Sequence, residues 1–107
     1  VRIYGGSAAA IDTGVHMQIP EGFAGFVRTK SGLNFKHGIM TDGLIDSGYT
    51  GSIHVKLYNF GAQAFDIDIG DKIAQIVIQP IYTPELEIVS ELDETDRGNR
   101  GFGSTGR

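Results

Sequence analysis

The sequence contains no cysteine and only three prolines. No apolar run reaches the roughly 18 residues that a membrane helix requires. Disulfides and thiolate metal sites are thereby excluded, and a reducing compartment is favoured. From Val1 onward the chain lacks the charged-then-apolar layout of a signal peptide. The expectation is a cytoplasmic protein with no membrane partner. Basic charge is also scarce: the formal net charge is −4, which argues against a general nucleic-acid binder. A small polyanion held by a few local groups remains compatible with that balance. The 107 residues leave no room for a second domain, and 40% apolar content is enough for one modest core.

Glycine, by contrast, is abundant at 16 residues, and most apolar residues fall in short alternating runs of β-branched and aromatic type. That combination predicts an all-β fold with many tight turns. Strands are expected at Val15–Ile19, Phe23–Thr29, Ser52–Asn59 and Phe65–Ile69. In the third of these, Ile53, Val55 and Leu57 share one face. Lys72–Gln79 is more continuously apolar and reads as a strand buried on both faces. Leu86–Leu92 alternates again. Turn signals separate these runs at Pro20-Glu21-Gly22, Asp42-Gly43, Tyr49-Thr50-Gly51, Phe60-Gly61 and Gly70-Asp71. A short helix is expected over Ser31–His37 with Ser31 as its cap. Strands at this spacing predict a sandwich or barrel.

Charge changes abruptly near the end. Glu85 to Asp96 carries six carboxylates and no Lys or Arg, after which Arg97, Arg100 and Arg107 follow. The chain therefore divides into a β domain, residues 1–96, and a glycine-rich arm, residues 97–107. In the arm, glycines let N–H groups converge on an anion, Ser104 and Thr105 add donors, and Arg97 adds a charged fork. Phe102 offers a flat face on which a base can stack. By composition alone, such a terminus also reads as a solvated tail.

Three further stretches carry candidate chemistry. In "GLIDSGYTG", Asp46 is a carboxylate placed to polarise water and Tyr49 a ring placed to pack on a sugar; an ordinary hairpin would look similar. In "TKSGLNFKHG", Lys30, Ser31 and Gly32 precede a helix start where a phosphate could meet N–H groups and a cation. In "GDKIAQIVIQ", Gln75 interrupts an apolar strand and must find partners if buried. His16, His37 and His54 lie far apart in sequence without metal-type spacing and read as structural.

In this order, "KSGLNFKHGI", "GLIDSGYTGSI", "GDKIAQIVI" and "RGNRGFGSTG" resemble the second to fifth signature motifs of the trimeric deoxyuridine triphosphatases. The match spans Thr13 to Arg107. The resemblance implies a jelly-roll, or distorted β-barrel, subunit in a homotrimer whose C-terminal arm crosses to a neighbouring subunit and closes over nucleotide. It implies hydrolysis of dUTP to dUMP and pyrophosphate, with Mg²⁺ held mainly through the triphosphate rather than by protein ligands. Residue by residue, Asp46 matches the aspartate that activates the attacking water, and Tyr49 the tyrosine that packs on deoxyribose and excludes a 2′-hydroxyl. Lys30, Ser31 and Gly32 match the phosphate-contacting second motif, and Gln75 the glutamine near the α-phosphate. Arg97 is expected at the γ-phosphate, Phe102 over uracil, and Gly103, Ser104 and Thr105 at the terminal phosphates. Uracil is expected on the backbone around Met40 to Leu44, including Gly43.

Departures accompany the match. Lys30 stands where the family usually has Arg, Gly48 where an acidic residue is common, and Arg100 where many members have Gly. The first motif, of Ala-Gly-Tyr-Asp-Leu type, has no counterpart, since Asp12 lies too close to "HMQIPEGF" to be its aspartate. The expectation is that the N-terminal strand region carrying it is missing. Two alternatives stand beside a working enzyme: a nucleotide-sensing or partner-binding module that turns over poorly, and a deoxycytidine nucleotide deaminase, which the glycine-rich arm disfavours.

Overall fold

Strand formation follows the alternation most closely where one side chain in two has an apolar neighbour across the ladder. In the computed structural model, which describes residues 1–101, β1 is Arg2–Ile3, β2 Ala8–Asp12, β3 Phe23–Thr29, β4 Ile39–Met40 and β5 Asp42–Asp46. These are followed by β6 His54–Asn59, β7 Phe65–Asp66 and β8 Ala74–Pro80, with one helix, α1 Ser31–His37, between β3 and β4. The order is β2-β6-β4 in one sheet, β5-β3-β8 in a second, and β1-β7 in a two-stranded ribbon. All pairings are antiparallel.

The core lies between the two larger sheets. Val55 and Leu57 of β6 and Ile39 of β4 meet Val27 of β3, with Ile3, Ile53 and Ile67 completing the cluster. Ala9 and Ile11 pack on it from β2, and Ile45, Ala74 and Ile76 from β5 and β8. Leu57 is fully buried, a burial that contributes about 1.5–3 kcal/mol. Asn59, 1% exposed, is a polar residue the core accepts because its amide is satisfied. Its Nδ2 donates to the carbonyls of Ile3 at 2.9 Å and Gln63 at 2.8 Å, and its Oδ1 accepts from the Gly61 N–H at 2.9 Å.

Several expectations need correction. Ala8–Asp12 is a strand, although its three alanines carry little β signal; it forms because its full length pairs with β6. Val15–Ile19 is irregular. Regular pairing is interrupted at Gly14, whose N–H turns to the side chains of Asp12 and Ser52, while Thr13 and Val15 on either side both bond Ile53. Asp42-Gly43 is not a turn but the start of β5. Lys30, not Ser31, occupies the cap of α1, and no side chain bonds there. β8 begins at Ala74 and is nowhere fully buried: Ala74 and Ile76 are half-buried and its other residues exposed. Leu86–Leu92 is no strand: from Ile81 the chain runs irregularly and exposed, with Leu86 and Ile88 almost completely in solvent. Without a neighbouring strand edge, alternation alone cannot hold a strand. This extension explains a radius of gyration of 19.1 Å, where a compact chain of this length would have about 13 Å.

Candidate functional site

The outer face of β5-β3-β8 carries two of the candidate residues, Asp46 and Gln75. Opposed residues in antiparallel strands project to the same side, so the register stacks three rows there. Asp46, Ala24 and Gln79 form one end, Leu44, Phe26 and Val77 the middle, and Asp42, Arg28 and Gln75 the other end. The middle row is apolar, and Leu44 and Val77 in it are exposed. Arg28 Nη1 meets Asp42 Oδ1 at 2.5 Å and its guanidinium lies 5.3 Å from the centre of the Phe26 ring. Such an exposed pair adds little stability, but it ties β5 to β3 beside the hairpin. Thr29 adds a second tie: its hydroxyl donates to the Thr41 carbonyl and accepts from the Thr41 N–H at 2.8 Å. The Thr41 hydroxyl itself is buried and has no partner among the described residues.

Asp46 ends β5, and the chain then turns at Ser47-Gly48. Gly48 has φ +85°, a conformation an acidic side chain at that position would strain. Tyr49 follows, 44% exposed, with its hydroxyl donating to the Ser52 carbonyl at 2.7 Å. Its ring folds over Gly51, where a Cβ would lie 2.6 Å from the phenolic oxygen; only glycine lets the ring take this place. Leu44, Ile45, Asp46, Tyr49 and His54 line a depression of about 270 Å³.

His54 is the residue that sequence reasoning assigned to structure alone. Both His16 and His54 reach the Tyr49 loop, His16 Nδ1 at 2.8 Å from the Thr50 carbonyl and His54 Nδ1 at 3.1 Å from that of Ser52. Behind them, Ser52 Oγ donates to Asp12 Oδ1. That bond, followed by one from the Gly14 N–H, holds the Asp12 carboxyl below its ordinary range. Outward parity on β6 was a visible signal for His54, but its nearness to Tyr49 depends on how the loop folds back.

The other expected residues cluster elsewhere. Lys30, Ser31 and Gly32 follow the end of β3, beside the start of β8 where Gln75 stands. Gln75 is exposed, not buried. Lys30 borders a groove of about 630 Å³ that also meets Asp68, Asp71 and Lys72. Gly43 lies on β5 opposite Val27, three residues before Asp46. Asp46 pairs with Ala24 while Gln75 pairs with Arg28 on the far side of β3. Four residues along the strand and two strand spacings put them about 17 Å apart. One chain therefore does not bring Asp46 and Tyr49 together with Lys30, Ser31, Gly32 and Gln75. Arg97 lies in an exposed turn where its Nε donates to the Arg100 carbonyl. Phe102, Gly103, Ser104 and Thr105 lie outside the described residues.

Among the described residues no three His, Asp or Glu side chains are grouped to hold a metal, and no helix is long and apolar enough to cross a membrane.

Comparison with known proteins agrees with this geometry. The family model described as dUTPase matches residues 2–106. A deoxyuridine 5′-triphosphate nucleotidohydrolase of Roseobacter denitrificans is 43% identical, the alignment covering 99% of this chain and 72% of the relative. One from Clostridium novyi is 48% identical over 90% of this chain and 70% of its own. Among solved structures, the dUTPase of Staphylococcus bacteriophage 80alpha with dUPNHPP superposes with a TM-score of 0.92 at 31% identity, covering all of this chain and 80% of that one. A phage phi11 dUTPase mutant is described with a structural Mg(II) ion. The all-β jelly roll and the order of the motifs have one common explanation: this chain belongs to the dUTPase family.

Proposed function

We propose that this chain hydrolyses dUTP to dUMP and pyrophosphate. The observation that carries the reading is the pairing of Asp46 with a Tyr49 ring held over its loop, both lining one depression. In this mechanism the Asp46 carboxylate accepts a proton from water as that oxygen attacks the α-phosphorus and pyrophosphate leaves. The Tyr49 ring packs on deoxyribose where a 2′-hydroxyl would need space. Backbone from Met40 to Leu44, with Gly43 inside it, pairs with uracil. Lys30, Ser31, Gly32 and Gln75 hold phosphate oxygens. Mg²⁺, bound through the triphosphate, supplies charge neutralisation.

The separation of Asp46 from Gln75 supports a homotrimer. Their ends of the open face flank the apolar row Leu44-Phe26-Val77. Neighbouring copies seated against that row would complete each site, which in the trimer would draw on all three chains. Arg97 and the residues after it would then act as the arm that closes over bound nucleotide, with Phe102 on uracil and Gly103, Ser104 and Thr105 on the terminal phosphates.

The test is pyrophosphate release from dUTP, dTTP, dCTP and UTP with Mg²⁺. Turnover confined to dUTP is expected, and a chain inactive on all four would sink the reading. One second reading has a specific support: phage dUTPases with this fold are described as controlling transfer of virulence genes by a G protein-like mechanism. A nucleotide sensor of that sort would bind dUTP without releasing pyrophosphate.

A further inference from the structure

Exclusion of a single hydroxyl depends on how firmly the excluding wall is held, because a ring that can shift by a fraction of an ångström makes room. The Tyr49 loop has an unusual number of ties for an exposed segment. The Ser52 carbonyl receives the Tyr49 hydroxyl at 2.7 Å and faces His54 Nδ1 at 3.1 Å. The Thr50 carbonyl faces His16 Nδ1 at 2.8 Å. A carbonyl can only accept, so each of these ring nitrogens carries the hydrogen. Both lone pairs of the Ser52 oxygen are then used, one by the tyrosine and one by the histidine.

The brace continues into the sheet. Ser52 Oγ donates to Asp12 and accepts from the Gly14 N–H at 3.1 Å. His54 Nε2 lies 3.6 Å from the other Asp12 oxygen, beyond hydrogen-bond distance, so Asp12 holds the loop through Ser52. Asp12 and His54 are opposed residues of β2 and β6, so the loop is referenced to the β2–β6 ladder. On the next residue, the Ile53 N–H donates to the Val15 carbonyl at 2.9 Å, and the Ile53 carbonyl accepts from Thr13.

We propose that His54, with His16 beside it, is a positioning residue for the Tyr49 ring and thereby a determinant of the choice between deoxyribose and ribose. This rests on the role given to Tyr49 above. His54 acts by fixing the carbonyl to which the phenol is anchored. A purely architectural histidine at this exposed position would affect stability and leave discrimination alone.

The test compares kcat/KM for dUTP and UTP in the full chain, in His54→Ala and in His54→Asn, whose amide N–H can stand in for Nδ1–H. His54→Ala is expected to lower the dUTP-to-UTP ratio about tenfold, and His54→Asn to restore most of it. An unchanged ratio in His54→Ala, or equal loss in both variants, overturns the inference. Amide hydrogen exchange over Tyr49 to Ile53, measured without nucleotide, gives a readout independent of turnover. Faster exchange in His54→Ala and near-normal exchange in His54→Asn support the brace; unchanged exchange in His54→Ala overturns it. Should the unaltered chain hydrolyse none of the nucleotides, the proposed activity fails while hydrogen exchange still decides the brace.

Discussion

The two three-stranded sheets share one core and differ in what covers their faces. In β2-β6-β4 the inward residues Val55, Leu57 and Asn59 are buried by the chain's own side chains. In β5-β3-β8 the inward face is less fully covered, Val27 being buried and Ile45 and Ile76 half-buried against the same core. Its outer face leaves Leu44 and Val77 exposed between two groups of polar residues. The first sheet completes the fold, whereas the second presents a surface that a folded single chain does not use. On the proposed function, substitutions in the shared core should act on stability and those on the open face on turnover.

The largest effect is expected at the polar end of the open face. Asp46→Asn keeps the side-chain shape and removes the base, and pyrophosphate release from dUTP should fall about 10²- to 10⁴-fold, with the thermal midpoint unchanged. Near-normal turnover would erase the distinction drawn for this face.

Next comes its apolar centre. Val77→Asp places a charge in the row Leu44-Phe26-Val77, where a covering copy would have to desolvate it. The variant should remain folded by circular dichroism, elute as a monomer, and lose about a hundredfold in turnover if assembly completes the site. An assembled and active variant would mean that the open face is not the contact.

On the closed side the loss should be one of stability. Leu57→Ala removes a fully buried side chain and should cost about 2–5 kcal/mol in denaturant unfolding. Turnover per folded chain should be retained at temperatures well below the midpoint. A selective loss of turnover would blur the contrast between the sheets.

The smallest effect concerns acid. Asp66 is held below its ordinary value of 3.8 by the hydrogen bond from Arg2, and Asp12 by that from Ser52. A carboxyl depressed on folding contributes stability that is full above its unfolded value and lost as pH falls through the folded one. Stability should therefore decline below pH 3.8, and the double variant Asp12→Asn, Asp66→Asn should flatten that decline. Both groups are exposed, so the change should be modest. An unaltered acid slope would place the sensitivity in other carboxylates.

Much of the fold was legible in local pattern. Phe23–Thr29 and Ser31–His37 form where expected, and Val55 and Leu57 face inward as the alternation of β6 required. Ala8–Asp12 escaped because alanine carries almost no strand preference and its pairing partner lies more than 40 residues away. Leu86–Leu92 misled for the complementary reason, since a correct period with no adjacent edge gives no ladder. Asp46 and Tyr49 were visible through ordered motifs, while His54 was not, because its role depends on a loop that folds back to place two side-chain donors on one carbonyl.

By itself the sequence determined the family, the all-β class and the candidate residues, because motif order and period-two patterning are local properties of the chain. Only the tertiary structure decided that Asp46 and Gln75 stand at opposite ends of one face. Only it decided that two histidines distant in sequence converge on the Tyr49 loop. Those facts follow from strand register and from which edges meet, and register is set by packing across the core, which no short stretch of residues encodes.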